Sequence, residues 1–259
     1  MKDTALLTVS FGTSYKETRE KTIEAIEKDL QAAFAEAEVK RAFTSGMIIR
    51  RLRERDGMMI HNTEEAVAEI CGQGYKNLLV QPTHIINGDE YEKMMSMLAP
   101  YADRFEQMVI GRPLLTDSKD YEQAVRIIME ENGDLGEDTA LVLMGHGTGH
   151  FADAAYAALD YRFKAMGYSR VFVGTVEGYP ELMDILPVLK QSGCKKVRLM
   201  PFMIVAGDHA INDMAGDDED SWKNILKSEG FDVECVLKGL GEIEGIRQMY
   251  IQHLKREIE

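Results

Sequence analysis

Two imidazoles and a carboxylate stand just after three apolar, β-rich runs in the second half of this 259-residue chain. Thr139–Gly145 leads into Gly-His146-Gly-Thr-Gly-His150. Arg170–Val176 leads into Glu177-Gly-Tyr179. Lys195–Phe202 leads, a few residues on, into Ala206-Gly-Asp-His209. In open parallel sheets, ligands bind beyond the carboxyl ends of the strands, so three such exits at one edge mark a candidate site. Two imidazoles with one carboxylate suit a borderline divalent ion such as Co²⁺, Ni²⁺, Fe²⁺ or Zn²⁺. A three-ligand set leaves coordination positions open for a reacting group, unlike a closed structural site. A single His after a strand more often caps or hydrogen-bonds, and that reading stays open for each residue taken alone. His150, four residues after His146, is a candidate accessory ligand. The GHGTG loop lacks the Lys-Ser/Thr ending of a phosphate-binding loop and the spacing of a dinucleotide fingerprint, so no nucleotide cofactor is expected.

The elements that must position these residues alternate along the chain. Thr4–Phe11 reads as a buried strand, being continuous, apolar and rich in β-branched residues. A helix follows to about Ala35, with Ile23, Ile26, Leu30 and Phe34 on one face. Strands are expected at Val39–Thr44, Asn77–Gln81 and Gln107–Ile110, with short helices near Met47–Arg55 and Thr63–Cys71. The pattern then restarts. Strands at Thr139–Gly145, Arg170–Val176, Lys195–Phe202 and Val233–Val236 alternate with helices at Ala152–Met166, Glu181–Gln191, part of Asn212–Ser228, and Gly245–Ile258. Such alternation predicts α/β architecture with parallel sheets covered by helices.

An internal repeat divides the chain. Pro82-Thr-His-Ile-Ile-Asn-Gly-Asp89 matches Pro201-Phe-Met-Ile-Val-Ala-Gly-Asp208 at an offset of 119. Leu6-Leu-Thr-Val-Ser-Phe-Gly-Thr13 matches Leu141-Val-Leu-Met-Gly-His-Gly-Thr148 at an offset of 135. Two similar α/β domains, related by duplication, are expected at 1–130 and 131–259, with the break near Glu131–Asp138. The closing helix at 245–258 is a candidate to pack back on the first domain. Phe11, Ser45 and Glu90 hold the first-half places of the second-half ligands, so a single metal site in the second half is the simpler expectation.

Composition narrows the function classes. There are 44 acidic residues against 30 Lys and Arg, a net charge of −14. That argues against nucleic-acid partners, which need clustered basic residues. No run approaches the roughly 20 apolar residues of a membrane span, and Ala5–Val9 is too short for a signal-peptide core. A cytoplasmic chain is expected, unless a leader has been removed. Cys71, Cys194 and Cys235 are far apart and form no CxxC, which suits reduced thiols. Arg50, Arg51, Arg53 and Arg55 form either a solvated helix face or a cradle for an anionic ligand. Asp217-Asp-Glu-Asp220 reads as an acidic helix start. His84 suits a cleft, whereas His61 and His253 read as surface residues. Oligomeric state is not legible.

Several longer stretches resemble a known family. Ser10-Phe-Gly-Thr-Ser14, Ala42-Phe-Thr-Ser-Gly-Met-Ile-Ile49, His84-Ile-Ile-Asn-Gly-Asp-Glu-Tyr91, Met144-Gly-His-Gly147 and Val205-Ala-Gly-Asp-His-Ala-Ile-Asn-Asp-Met214 are similar to the anaerobic sirohydrochlorin cobalt chelatases of the CbiK type. Asp220-Ser-Trp-Lys223 and Gly239-Leu-Gly-Glu242 match too. The loop GHGTGH departs at its third and fourth positions, which touches no ligand. The resemblance implies a class II chelatase fold: two Rossmann-like parallel-sheet domains, related by a pseudo-two-fold, with a cleft between them. It implies ATP-independent insertion of Co²⁺, as substrate metal, into sirohydrochlorin or a precorrin-2-like tetrapyrrole on the anaerobic route to cobalamin. It implies His146, Glu177 and His209 as metal ligands and catalytic residues.

That chemistry asks for partly dehydrated metal held beside a base that takes pyrrole protons. His209 and Glu177 are expected to hold Co²⁺, with His146 taking a proton or sharing the metal. Phe11, Thr13, Ser14, Ser45, His84, Ile86 and Glu90 are candidate substrate-contact positions at first-half strand exits, and Arg50, Arg51 and Arg53 candidate partners for its carboxylates. Three rivals remain: the same chemistry with Fe²⁺ or Ni²⁺, a non-catalytic tetrapyrrole or metal carrier, and a metallohydrolase using metal-bound water.

Overall fold

The computed structural model describes residues 3–259 and divides into two compact units. The first comprises residues up to Thr116 together with Glu244–Glu259, and the second Asp117–Ile243. Among the described residues, no helix is long and apolar enough to cross a membrane.

The first unit is built on β1 (Thr4–Ser10), β2 (Ala37–Phe43), β3 (Asn77–Pro82) and β4 (Gln107–Ile110). They form one parallel sheet in the order β2-β1-β3-β4. Strand β1 is buried along nearly its whole length. A strand covered on both faces needs apolar side chains at successive positions, which is why TALLTV shows no alternation. Ala5, Leu7 and Val9 join a core with Ala42, Leu78 and Val80. Its helices are α1 (Lys16–Lys21), α2 (Ile23–Ala33), α3 (Gly46–Asp56), α4 (Thr63–Gly72) and α5 (Asp89–Leu98).

The second unit repeats that plan. Its helices are α6 (Ser118–Asn132), α7 (Ala154–Ala165), α8 (Leu182–Gln191) and α9 (Trp222–Ser228), and its strands β5 (Thr139–Gly145), β6 (Val171–Thr175), β7 (Lys196–Pro201) and β8 (Asp232–Cys235). The sheet order is β6-β5-β7-β8, again all parallel. The two sequence offsets are the sheet register. Thr4 pairs with Asn77 in the first sheet; 135 and 119 residues later, Thr139 pairs with Lys196 in the second. The repeat is thus a repeat of hydrogen-bonded structure.

Two findings differ from the sequence reading. The expected domain break at 130/131 falls inside α6, whereas the units divide at Thr116/Asp117. Helix α6 is held to the second unit at both ends. Arg162 of α7 donates to Glu122 at 2.9 Å and to Ser118 Oγ at 2.7 Å, and Arg198 of β7 donates to the Asn132 carbonyl at 3.1 Å. His253, expected at the surface, is 2% exposed. It lies three and four residues after Tyr250 and Met249 on α10 (Glu244–Ile258), and so shares their buried face.

Helix α10 belongs to the first unit. Arg247 pairs with Asp29 of α2 at 2.6 Å. The buried Tyr250 hydroxyl donates to the carbonyls of Thr83 at 3.0 Å and His84 at 3.2 Å. That contact fixes the chain just past β3. There the His84 ring nitrogens are both buried without a hydrogen-bond partner. Desolvation penalises the imidazolium and pushes the His84 pKa down to about 4.

A depressed imidazole pKa makes the native state resist protonation, so stability is lost as pH falls from the ordinary 6.5 through the folded value. We expect the His84 ring protons to titrate near 4 by NMR. The associated loss of unfolding free energy across that window is roughly 3 kcal/mol, absent in His84→Gln. A midpoint near 6.5 would contradict this burial.

Candidate metal centre

The centre begins where the second sheet ends. Gly145, the last residue of β5, pairs with Thr175, the last of β6, and Met144 pairs with Pro201, the last of β7. Three parallel strands therefore release their chains at one edge. His146 is the first residue after β5, and Glu177 the second after β6. His209 lies at the start of a short π-helical turn, Ala210–Met214, beyond β7.

One ligand-type atom from each of His146, Glu177 and His209 lies within 4.8 Å of the others, and no second cluster of three occurs among the described residues. His146 Nδ1 is 3.8 Å from Glu177 Oε2, and His209 Nε2 is 4.0 Å from Glu177 Oε1. The imidazole rings meet edge to face, with centroids 4.7 Å apart and planes at 89°. Both rings are partly accessible and Glu177 is exposed, so the cluster can take up an ion from solvent. Two nitrogens and a carboxylate oxygen form a set that Co²⁺ or a neighbouring divalent ion accepts, with positions left open.

Each imidazole has its tautomer set by a neighbour. His146 Nδ1 lies 2.9 Å from the Gly147 carbonyl oxygen, which can only accept, so in the neutral ring Nδ1 carries the proton and Nε2 the lone pair. His209 Nδ1 lies 2.5 Å from Asp213 Oδ2, with the same consequence. A carboxylate behind an imidazole orients the ring. Asp213 was not singled out in the sequence. Its signal was the spacing of four from His209, which puts both on one side of a helical turn.

The loops bearing the ligands are also tied to each other. The His146 carbonyl accepts from Val176 N at 3.1 Å and Glu177 N at 2.8 Å. Gly147 makes this approach possible. Its φ is +81°, and a Cβ there would lie 2.4 Å from the Gly178 nitrogen.

The remaining candidates fall elsewhere. The His150 Nδ1 accepts from Ala152 N at 3.2 Å, and its ring leans on Phe151, so it caps a turn outside the cluster. In the first unit, Phe11, Ser45 and Glu90 follow β1, β2 and β3 as their counterparts do in the second. Phe11 is 40% exposed. Thr13, Ser14 and Ile86 are buried. Thr13 Oγ1 accepts from Tyr15 N at 3.2 Å, and the Ser14 carbonyl accepts from Arg55. Ser45 caps α3, accepting from Ile48 N at 3.4 Å. Glu90 Oε2 stands 3.8 Å from Lys93 Nζ, which donates to the Thr44 carbonyl at 2.8 Å. Arg50, Arg51 and Arg53 project from α3 as exposed side chains, whereas Arg55 is paired with Asp56 at 2.7 Å. Asp217 and Asp218 lie before α9, which is capped by Ser221 and has no acidic residue in its first turn, so they are not the acidic helix start expected; their backbone carbonyls accept from Asn224 at 3.0 Å and 2.9 Å.

Comparison with known proteins places the chain in a family. Residues 4–259 match the model of the cobalt chelatase (CbiK) family. The chain is 45% identical over 254 residues to the sirohydrochlorin cobaltochelatase of Salmonella typhimurium, covering 98% of this chain and 96% of that protein. It is 33% identical over 261 residues to the sirohydrochlorin cobaltochelatase CbiKC of Nitratidesulfovibrio vulgaris, covering 98% and 90%. Among solved structures, the sirohydrochlorin chelatase SirB from Bacillus subtilis subspecies spizizenii, in complex with cobalt, superposes with a TM-score of 0.65 at 13% identity, covering 99% of this chain and 95% of that one. That likeness is one of fold. The sequence similarity is of another order, extends from the first strand to the last helix, and establishes that the chain belongs to the CbiK family of cobalt chelatases.

Proposed function

We infer that this chain is a sirohydrochlorin cobaltochelatase, inserting Co²⁺ into the tetrapyrrole on the anaerobic route to cobalamin. The observation that carries this reading is the near-full-length identity to the Salmonella cobaltochelatase. The His146, Glu177 and His209 cluster supplies a chemical basis for it. The reaction exchanges one Co²⁺ for two pyrrole N–H protons, so charge balances without an energy-rich cofactor, and no nucleotide is invoked.

In this proposal Glu177 and His209 hold the incoming Co²⁺, replacing part of its water shell before the macrocycle meets it. His209 binds through Nε2, with Asp213 bracing the opposite nitrogen. His146, with its lone pair on Nε2, accepts a pyrrole proton or shares the metal; an imidazole exchanges protons readily near neutral pH. Holding metal and ring together makes insertion effectively unimolecular.

The tetrapyrrole carries many carboxylates, and the protein is itself strongly acidic, at a net −14. Local cations must therefore offset the repulsion. Arg50, Arg51 and Arg53 are the proposed partners, since exposed guanidiniums form bidentate pairs with carboxylates. Phe11 and Glu90 are proposed substrate contacts at the first unit's strand exits, with the buried Ile86 and His84, whose ring nitrogens are buried, proposed to back them from beneath. Thr13, Ser14 and Ser45 would contribute through the shape of the loops they hold, because their side chains are buried. No nucleic-acid or membrane partner is part of the reading.

Anaerobic absorbance spectroscopy of sirohydrochlorin with Co²⁺ tests the function. Wild type should convert substrate over many turnovers, and His146→Ala and His209→Ala should each lower kcat by about 100-fold or more. Stoichiometric binding with no rate above the metal-only control would make the protein a carrier instead. For the cradle, Arg51→Ala should raise KM for the tetrapyrrole several-fold while leaving the KM for Co²⁺ unchanged. An unaltered KM for the tetrapyrrole would remove Arg51 from that role.

A further inference from the structure

Asp153 stands at the head of α7, where an Asp ordinarily accepts from the N–H groups of its own first turn. Here it makes no such cap. Its carboxylate turns instead to the two loops that carry His146 and Glu177. Oδ1 accepts from Thr148 N at 2.9 Å, and Oδ2 accepts from Tyr179 N at 2.7 Å. Each of these nitrogens lies two residues past a metal-site residue. Charge-assisted bonds of this length are among the stronger ones a protein makes.

The space for this carboxylate is also specific. A Cβ on Gly178 would lie 2.2 Å from Asp153 Oδ1 and 2.7 Å from its Cγ. Only a residue without a side chain lets the Glu177 loop close over the carboxylate. One turn along α7, the buried Tyr156 approaches the other loop. Its ring lies against Gly145, the residue directly before His146, where a Cβ would sit 2.4 Å from the ring's Cε1. The first turn of α7 therefore grips both loops from behind, on top of their direct backbone ties.

We propose that Asp153 is a positioning residue for metal capture, its two oxygens fixing the His146 loop against the Glu177 loop. This rests on the reading of His146, Glu177 and His209 as the Co²⁺ site. Without the staple, both residues remain but their separation relaxes, and the cost falls on metal affinity. Support groups behind metal ligands are typically worth about 10–100-fold in affinity. Asn at this position cannot replace the carboxylate, since its NH₂ would face one of the two N–H donors.

The probe is Co²⁺ alone, titrated anaerobically and read by its visible ligand-field absorbance, with thermal melting in parallel. The variants are Asp153→Asn and Gly178→Ala, the second displacing the carboxylate without changing any charge. Asp117→Asn serves as control: Asp117 caps α6 of the same unit, accepting from Lys119 N at 2.8 Å and Asp120 N at 3.2 Å. We expect Asp153→Asn and Gly178→Ala each to weaken Co²⁺ binding by about 10-fold or more and to change the band, with Asp117→Asn leaving both unchanged. Wild-type affinity in both site variants would overturn the role of Asp153, as would equal weakening in Asp117→Asn, which would mark a general loss of stability. If Asp153→Asn does not fold, Gly178→Ala alone decides. Absence of Co²⁺ binding by wild type would instead overturn the metal-site reading itself.

Discussion

Strand β5 is hydrogen-bonded in parallel to β6 on one side and β7 on the other, and the His146, Glu177 and His209 cluster hangs from the common end of those three strands. Parallel pairing forces consecutive chains to leave a sheet at the same edge. Crossover helices then return each chain to the opposite edge. His146, Glu177 and His209 come from positions up to 63 residues apart, yet the sheet delivers them to one place. Loops alone could not hold such a set to within a few ångströms. Here the buried core beneath the strands, from Ala140 and Val142 to Phe172 and Leu199, supplies the rigidity.

Around that frame, polar groups make the fine adjustments. The Gly147 carbonyl and the Asp213 carboxylate set the imidazole tautomers. The His146 carbonyl ties two of the loops together. None of these groups need meet the ion. They decide whether the three residues present one site or three separate side chains. The first unit has the same sheet order and register, but Phe11 and Ser45 occupy places that hold His146 and Glu177 in the second. Among the described residues, the duplicated frame thus carries a three-residue donor set in the second unit only.

Much of this was legible in the residues. Continuous apolar runs bounded by Gly, such as Thr139–Gly145, give buried parallel strands almost to the residue. The two repeat offsets proved to be sheet register, since Pro82 and Pro201 close the equivalent strands β3 and β7. What escaped depended on three-dimensional neighbours. The unit boundary was misplaced because α6 looks like the end of one pattern and packs as the start of the next; its capping residues Asp117 and Asp120 were the local clue. His253 reads as polar and is buried, because position on α10 outweighs residue type. Asp213 is marked only by its spacing from His209, and Asp153 by no motif at all. Their roles appear only once the loops they touch are folded.

The central claim is that one ion is held jointly by two imidazoles and a carboxylate at the β5, β6 and β7 exits. X-ray absorption at the cobalt edge on the Co²⁺-loaded protein addresses it directly. The account predicts the multiple-scattering signature of two imidazoles plus oxygen donors, reduced to one imidazole in His209→Ala. A shell of oxygen donors alone, or a spectrum that His209→Ala leaves unchanged, would contradict it.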